Sequence, residues 1–291
     1  MRFLAIALMF SAILPAQAQV IPGLGGEIDT MEATPLPLPH QGGVQDEIKR
    51  NADASMRRFD RFYTANTGKT ANVTLVPDPA NGRRTVFHMA LRNTDPDSAD
   101  GKRTEVVPLY EYTRQGVRWY AASVYFPPDW VTETEKDRPV VVFQLNSAKG
   151  VFAGPPPVSI EASDGLLRLH TTTNYLVPAD KATPTKANAS SKSIMLDQLR
   201  LGQWYCFVVR ADWQYKLGSG SLQVWMNGEP AYASANLYSH YANSLGNFPK
   251  TGMYQPGTMH VASRHLYTDF IHIGAEESTM EEMHARTPCA G

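Results

Sequence analysis

The sequence predicts an all-β fold, a jelly roll or two-sheet sandwich. Three observations point there: eleven short segments with the two-residue alternation of strands, turn formers between them, and no convincing helix within the span they cover.

The chain opens with MRFLAIALMFSAILPAQAQV, in which Arg2 precedes an apolar run from Phe3 to Leu14 and Ala16-Gln17-Ala18 forms a small-x-small cleavage site. Residues 1–18 are therefore expected to be a signal peptide, removed on export to the periplasm or the medium. No later run approaches the ~20 apolar residues that a membrane span requires, so no membrane domain is expected. Residues 19–43 hold IPGLGG and ATPLPLPHQGG, rich in Pro and Gly without periodicity, and read as an extended lead-in. Residues 44–291 are assigned to one domain. Its first stretch, VQDEIKRNADASMRRFDRF, has the weak apolar spacing and mixed charge of a helix covering one end of that domain.

From Asn72 the pattern becomes β-type. The segments are NVTLV, RTVFHMALR, RTEVVPLY, VRWYAASVYFP, RPVVVFQLN, PVSIEAS, LLRLHTTT, QWYCFVVRADW, SLQVWMNGEPAY, KTGMYQ and HLYTDFIHIG. PDPANG, ASDG, LGSGS and MNGE fall where hairpin loops belong.

Lys plus Arg number 27 against 28 Asp plus Glu, so no global field attracts nucleic acid and any anion must be recognised locally. The two cysteines are Cys206, in GQWYCFVVR, and Cys289 near the C-terminus. In an oxidising compartment such a pair becomes a disulfide, here pinning the tail to a central strand. A catalytic thiol is the weaker alternative, because a cysteine in an apolar strand is inert.

Strand alternation puts Gln144 with Asn146, Arg168 with His170, and Lys250 with Gly252 and Tyr254, each set on one face. These are either solvated faces or the lining of a site.

KRTEV, FQLN, PPVSIEASDGLLRL, QWYCFVVRADW, GSLQVWMNGEP, FPKTGMYQ and HLYTDFIHIG, in that order between Arg83 and Gly274, resemble the jelly-roll polysaccharide lyases of the heparin lyase I and glucuronan lyase type, and the related alginate lyases. The resemblance implies a jelly-roll sandwich of two antiparallel sheets with a concave substrate cleft. It places Arg103 and Glu105, Gln144 and Asn146, and Lys250 and Tyr254 at the motif positions of that cleft. Asn146 stands where alginate and heparin lyases carry the histidine of Q-x-H, and glucuronan lyase-like members are similar in using asparagine in the site. The resemblance thus implies a 4-linked uronic-acid polymer as substrate, with a glucuronan-like one ahead of alginate.

The chemistry suits these residue types. Removing the C5 proton beside a uronate carboxylate builds a dianionic enolate, and donors aimed at the carboxylate offset that charge, each by ~3 kcal/mol in an oxyanion-hole setting. Asn146, Gln144 and Arg103 are such donors. Tyrosine ordinarily ionises near ~10 and becomes a base when nearby cations favour its phenolate. Lys250 and Arg103 could serve Tyr254 so, letting it act as base and then as acid. Glu105 would orient Arg103. His88 is the first candidate for a separate base; His265, together with Arg168 and His170, is a candidate for substrate binding, with His265 second as base.

A non-catalytic lectin-like jelly roll is the alternative, with Trp119, Trp204, Trp213 and Trp225 stacking on sugars. A hydrolase is ranked third for want of a strand bearing paired carboxylates. No zinc or P-loop motif is present and no cofactor is expected to be required. A structural calcium ion is left open, with Asp269 as a ligand or a turn cap. The expected partner is an acidic polysaccharide, with neither nucleic acid nor membrane, and the chain is expected to act as a monomer.

Overall fold

Antiparallel pairing organises the residues described by the computed structural model, which are 56–58, 63–67, 72–97, 101–108, 113, 115–132, 137–147, 155–174, 189–214, 218–238 and 246–290. The expected signal peptide and lead-in lie outside these residues. So does most of the helix expected over 44–62, and its one described part, Met56–Arg58, is a strand. That segment hydrogen-bonds along Tyr63–Thr67, and ladder pairing overrides a weak local helix preference.

In chain order the strands are β1 (Met56–Arg58), β2 (Tyr63–Thr67), β3 (Val73–Pro77), β4 (Thr85–Arg92), β5 (Gly101–Pro108), β6 (Gly116–Phe126), β7 (Val140–Ser147) and β8 (Val158–Ser163). They continue as β9 (Leu166–Asn174), β10 (Ala189–Gln198), β11 (Gln203–Trp213), β12 (Gly220–Met226), β13 (Glu229–Tyr238), β14 (Asn247–Pro256), β15 (Ser263–Thr268) and β16 (His272–Gly274). One sheet has the order β1-β2-β5-β14-β7-β8-β9-β10, and the second β13-β12-β11-β6-β15-β4-β3 with β16 beside β6. The fold is a jelly-roll sandwich, as the sequence pattern predicts. Two of the predicted segments, SLQVWMNGEPAY and HLYTDFIHIG, each divide into two strands, and β2 and β10 form where the sequence pattern predicts no strand.

Alternation explains the layering. Tyr120, Ala122, Val124 and Phe126 of β6 and Phe207, Val209, Ala211 and Trp213 of β11 meet Phe143, Leu145, Ile160, Leu169 and Met253 of the first sheet in one core. At about 25 cal/mol per Å² of apolar surface removed from water, this shared core is the main favourable term of folding. The tight turns follow their sequences: Asp164-Gly165 and Asn227-Gly228 all have positive φ, as a two-residue type I′ hairpin demands.

The C-terminal segment is fastened to the outside of the second sheet. Thr279 caps the short helix α1 (Met280–His284) with a reciprocal bond to Glu282, and Met283 packs with Trp119, Ala121 and Val208. Cys289 forms the expected disulfide with Cys206, their Cα atoms 6.1 Å apart. Nearby, Arg84 donates to the buried carboxylate of Asp269 at 2.5 Å and to the carbonyl of Arg286 at 3.4 Å. Asp269 also accepts the amide of Phe270 at 2.9 Å. Burial pushes the Asp269 carboxyl up to about 6, against the opposing pull of Arg84 and that amide.

Two expectations follow from this packing. Thiol titration of the unreduced, denatured protein should find no free cysteine, and replacing Cys289 by serine should cost roughly 4–5 kcal/mol for a closed loop of 83 residues, read by denaturant unfolding. Because folding raises the Asp269 pKa, the folded state binds the extra proton. Its stabilising effect is complete below the unfolded value near 4 and is lost as pH rises through about 6. Relative to Asp269→Asn, the wild type should therefore gain up to about 3 kcal/mol between pH 7 and pH 4. A parallel or opposite pH trend for the two proteins would contradict the assignment.

Candidate active site

The outer face of the first sheet collects the polar residues that alternation excludes from the core. Arg103 stands opposite Tyr254 and Glu105 opposite Gly252 across the β5–β14 ladder, while Lys250 faces Gln144 and Phe248 faces Asn146 across β14–β7. Residues directly opposite on a ladder project to the same side. Arg103, Glu105, Gln144, Asn146, Lys250 and Tyr254 therefore form one cluster from three adjacent strands.

At its centre is the carboxylate of Glu105, 2% exposed. Arg103 donates to it at 3.1 Å, the side-chain amide of Gln144 donates to its other oxygen, and Lys250 lies at 3.9 Å. Two cations against one anion leave a single positive charge in excess on this buried surface. The Arg103 guanidinium also sits 4.1 Å from the ring centroid of Tyr254, a cation–π geometry, and Lys250 lies 5.3 Å from the ring of Phe248. Asn146 is half-buried and its amide has no hydrogen-bond partner among the described residues. It is the uncommitted donor of the cluster.

Gly252 makes this closeness feasible. Its φ is +136°, and a Cβ there would lie 2.2 Å from the Thr104 carbonyl oxygen and 2.8 Å from the Glu105 Cα. The same Cβ would also run into the sulfur of Met89 in the core, so only glycine fits where β14 presses on β5 between Lys250 and Tyr254. The β14–β7 register shifts between Thr251 and Tyr254, and β7–β8 shifts between Val141 and Phe143. These bulges turn both Val142 and Phe143 into the core and leave Val141 beside Tyr254.

The face continues across the sheet. Ser159 is opposite both Gln144 and His170, and Glu161 is opposite both Val141 and Arg168. Ser159 donates to Glu161 at 2.7 Å. Arg168 and His170, both half-buried, have no partner among the described residues, so the two cationic or polar side chains remain available there.

His88 and His265 are not part of this cluster. Phe87 and Met89 of β4 and Leu266 of β15 turn into the core, which sends His88 and His265 to the outer face of the second sheet, the far side of the sandwich. There His265 Nδ1 lies 3.1 Å from His88 Nε2, and its Nε2 lies 3.0 Å from Asp129. Burial first, and then the neighbouring His265, hold the His88 imidazole below its usual range. The parity of β4 and β15 separates both from Tyr254, so neither can take a proton from a substrate bound beside Arg103.

The tryptophans are also placed elsewhere. Trp213 is fully buried with its indole donating to Tyr120, Trp204 donates to Asp78, and Trp225 stacks on Trp119 at 5.6 Å on the second sheet. They form no sugar platform beside the cluster. Among the described residues there is no group of three or more His, Cys, Asp or Glu side chains arranged to hold a metal, and no helix is long and apolar enough to cross a membrane.

Comparison with known proteins fits this geometry. No curated protein is detectably similar in sequence. Among solved structures the chain is similar to the endo-β-1,4-glucuronan lyase of the fungus Trichoderma reesei, with a TM-score of 0.58 and 14% identity over 78% of this chain and 92% of that one. It is also similar to alginate lyase A1-II′ of polysaccharide lyase family 7, with a TM-score of 0.48 and 16% identity over 69% of this chain and 82% of that one. The glucuronan lyase likeness supports the jelly-roll architecture. The sequence profile of the polysaccharide lyases matches residues 52–272, and by that match, which spans most of the chain and every strand of the cluster, the protein belongs to the polysaccharide lyase family and is a carbon–oxygen lyase acting on polysaccharides.

Proposed function

We propose that this lyase cleaves a 4-linked uronic-acid polysaccharide by β-elimination, with a glucuronan-like polymer preferred and alginate next, and that it does so as an exported enzyme. The observation that carries the reading is the Glu105-centred group of Arg103, Gln144 and Lys250 beside Tyr254 and the uncommitted Asn146.

The reaction needs charge stabilisation more than anything else. A uronate carboxylate lying over the excess positive charge, with Asn146 donating to it, becomes more tolerant of the second negative charge that C5 deprotonation delivers. The cations next to Tyr254 favour its phenolate over its phenol. The phenolate takes the C5 proton, the C5–H electrons form the C4–C5 double bond, and the C4–O bond breaks. The departing oxygen then takes the same proton back from the Tyr254 hydroxyl, and the enzyme returns to its starting state. Glu105 takes no proton in this scheme; it holds Arg103, Gln144 and Lys250 in place. Arg168 and His170 extend the polar face and would hold further sugar units. His88 and His265, which lie on the other sheet, take no part in this scheme.

Preference for a glucuronan-like substrate rests on Asn146, the asparagine at the place where alginate-type motifs carry a histidine. The disulfide fits an oxidising exported setting.

Incubation with glucuronan, alginate and heparin-type polymers should produce the ultraviolet absorbance of an unsaturated uronide, strongest with glucuronan. Hydrolysis creates no such chromophore. Tyr254→Phe should abolish the signal with the fold intact, and Asn146→Ala should lower kcat by about a hundredfold. Wild-type turnover by Tyr254→Phe would remove the tyrosine mechanism, and reducing ends without the chromophore would replace elimination by hydrolysis.

A further inference from the structure

Behind Tyr254, inside the sandwich, lies a polar cluster that the elimination scheme leaves unused. Arg264 of β15 belongs to the second sheet, yet its side chain is 0% exposed, as is that of Asp137. Its Nε donates to the Val131 carbonyl at 2.9 Å, one terminal nitrogen donates to Asp137 at 3.0 Å, and the other donates to the side-chain oxygen of Gln255. Gln255, fully buried, in turn donates to the Arg138 carbonyl at 2.8 Å. Asp137 accepts the His260 amide at 2.8 Å through its second oxygen. Each of the three guanidinium nitrogens donates one of these bonds.

A buried ion pair is an expensive way to fill a core, since well-packed apolar residues usually do as well or better. What distinguishes this one is where its bonds end. Gln255 follows Tyr254 directly on β14, and Arg138 lies two residues before β7, whose Val141 pairs with Tyr254. The strand that carries Tyr254 and the segment leading into its neighbour β7 are thus tied to one guanidinium from the opposite sheet.

The tie is needed because the ladder is interrupted there. Lys250 and Thr251 pair regularly with β7, but the register breaks before Tyr254, and β7 itself bulges between Val141 and Phe143. Regular pairing therefore does not carry the position of Lys250 and Gln144 through to Tyr254 on that side.

We propose that Arg264, acting through Gln255 and braced by Asp137, is a positioning residue for Tyr254, setting the phenol oxygen against the C5 proton across the bulge. The proposal rests on Tyr254 being the proton-transfer group. Arg264 touches no substrate, and its effect is on alignment at the reacting atoms, where misplacement by about 1 Å can cost around a hundredfold in rate.

The test uses the whole protein and the chromophore assay. Gln255→Met cuts the link to β14 while leaving the Arg264–Asp137 pair, and Arg264→Lys keeps the charge but loses the fork, which covers the case in which either variant fails to fold. The expected result is a fall in kcat of about tenfold or more with KM changed less than twofold, in protein whose melting curve remains cooperative. A wild-type kcat in either folded variant overturns the proposal. So does a rise in KM alone, or a lower melting temperature with unchanged kcat per folded molecule, the pattern of a purely structural bond network. Tyr254→Phe is assayed alongside: if it retains turnover, the mechanism itself fails, whereas an inactive Tyr254→Phe with a fully active Gln255→Met sinks only the positioning role.

Discussion

The buried carboxylate of Glu105 is the constraint around which the active face is organised. An isolated carboxylate with 2% exposure would be costly to leave ionised, and the cost is offset only because three strands send donors to it. Arg103 comes from its own strand, Gln144 from β7 and Lys250 from β14. The consequence runs both ways. Glu105 lets two cations be buried side by side, and those cations in turn have little freedom to move when a substrate arrives. A site whose task is to stabilise developing negative charge benefits from such fixed donors, since they need no reorganisation as the charge appears.

Placing the site on strands instead of loops follows from the same need. Strand pairing fixes each Cβ to the next at about 5 Å, so cross-strand neighbours are set by register alone. A one-residue slip of β14 would send Lys250 and Tyr254 into the core and Thr251 and Met253 outward. The apolar inner face resists that slip, because Met253 is part of the core. Core packing thereby protects catalytic geometry, even though no core residue touches the substrate face. Gly252 departs from regularity, a residue without a side chain where a side chain would collide with β5.

Much of this was legible in the sequence because period-two alternation and turn chemistry are local signals. KTGMYQ and FQLN place Lys250, Tyr254, Gln144 and Asn146 on common faces before any pairing is known. ASDG and MNGE mark hairpins that the backbone confirms with positive φ at Asp164 and Asn227. Pairing partners and sheet identity are not local. His88 sits in TVFHMALR just ahead of the arginine strand, but β4 belongs to the second sheet and β5 to the first, so adjacency in sequence became separation by the full core. Met56–Arg58 looked helical for the reverse reason, its strand state being created by a partner. The strand β10, ASSKSIMLDQ, is an edge strand with an irregular register and little alternation to betray it.

Arg264 shows the limit most clearly. In SRHLYT it is one charged residue among polar ones, and nothing local distinguishes a solvent-facing arginine from one that crosses the sandwich. Its role depends on Asp137 being available 127 positions earlier and on Gln255 being turned inward, both products of the completed fold. The Glu105 and Arg264 clusters therefore complement each other. Glu105 gathers donors from neighbouring strands of one sheet, where register suffices to align them. The Arg264 pair joins the two sheets beside the register break, and it does so from within, because only a side chain turned into the sandwich can reach Gln255 on the opposite sheet. Burying it against Asp137 keeps that pair neutral overall while retaining the directional bonds. The excess positive charge on the substrate face is then set by Arg103, Lys250 and Glu105, and the alignment of Tyr254 can be adjusted without altering the charge that the uronate meets.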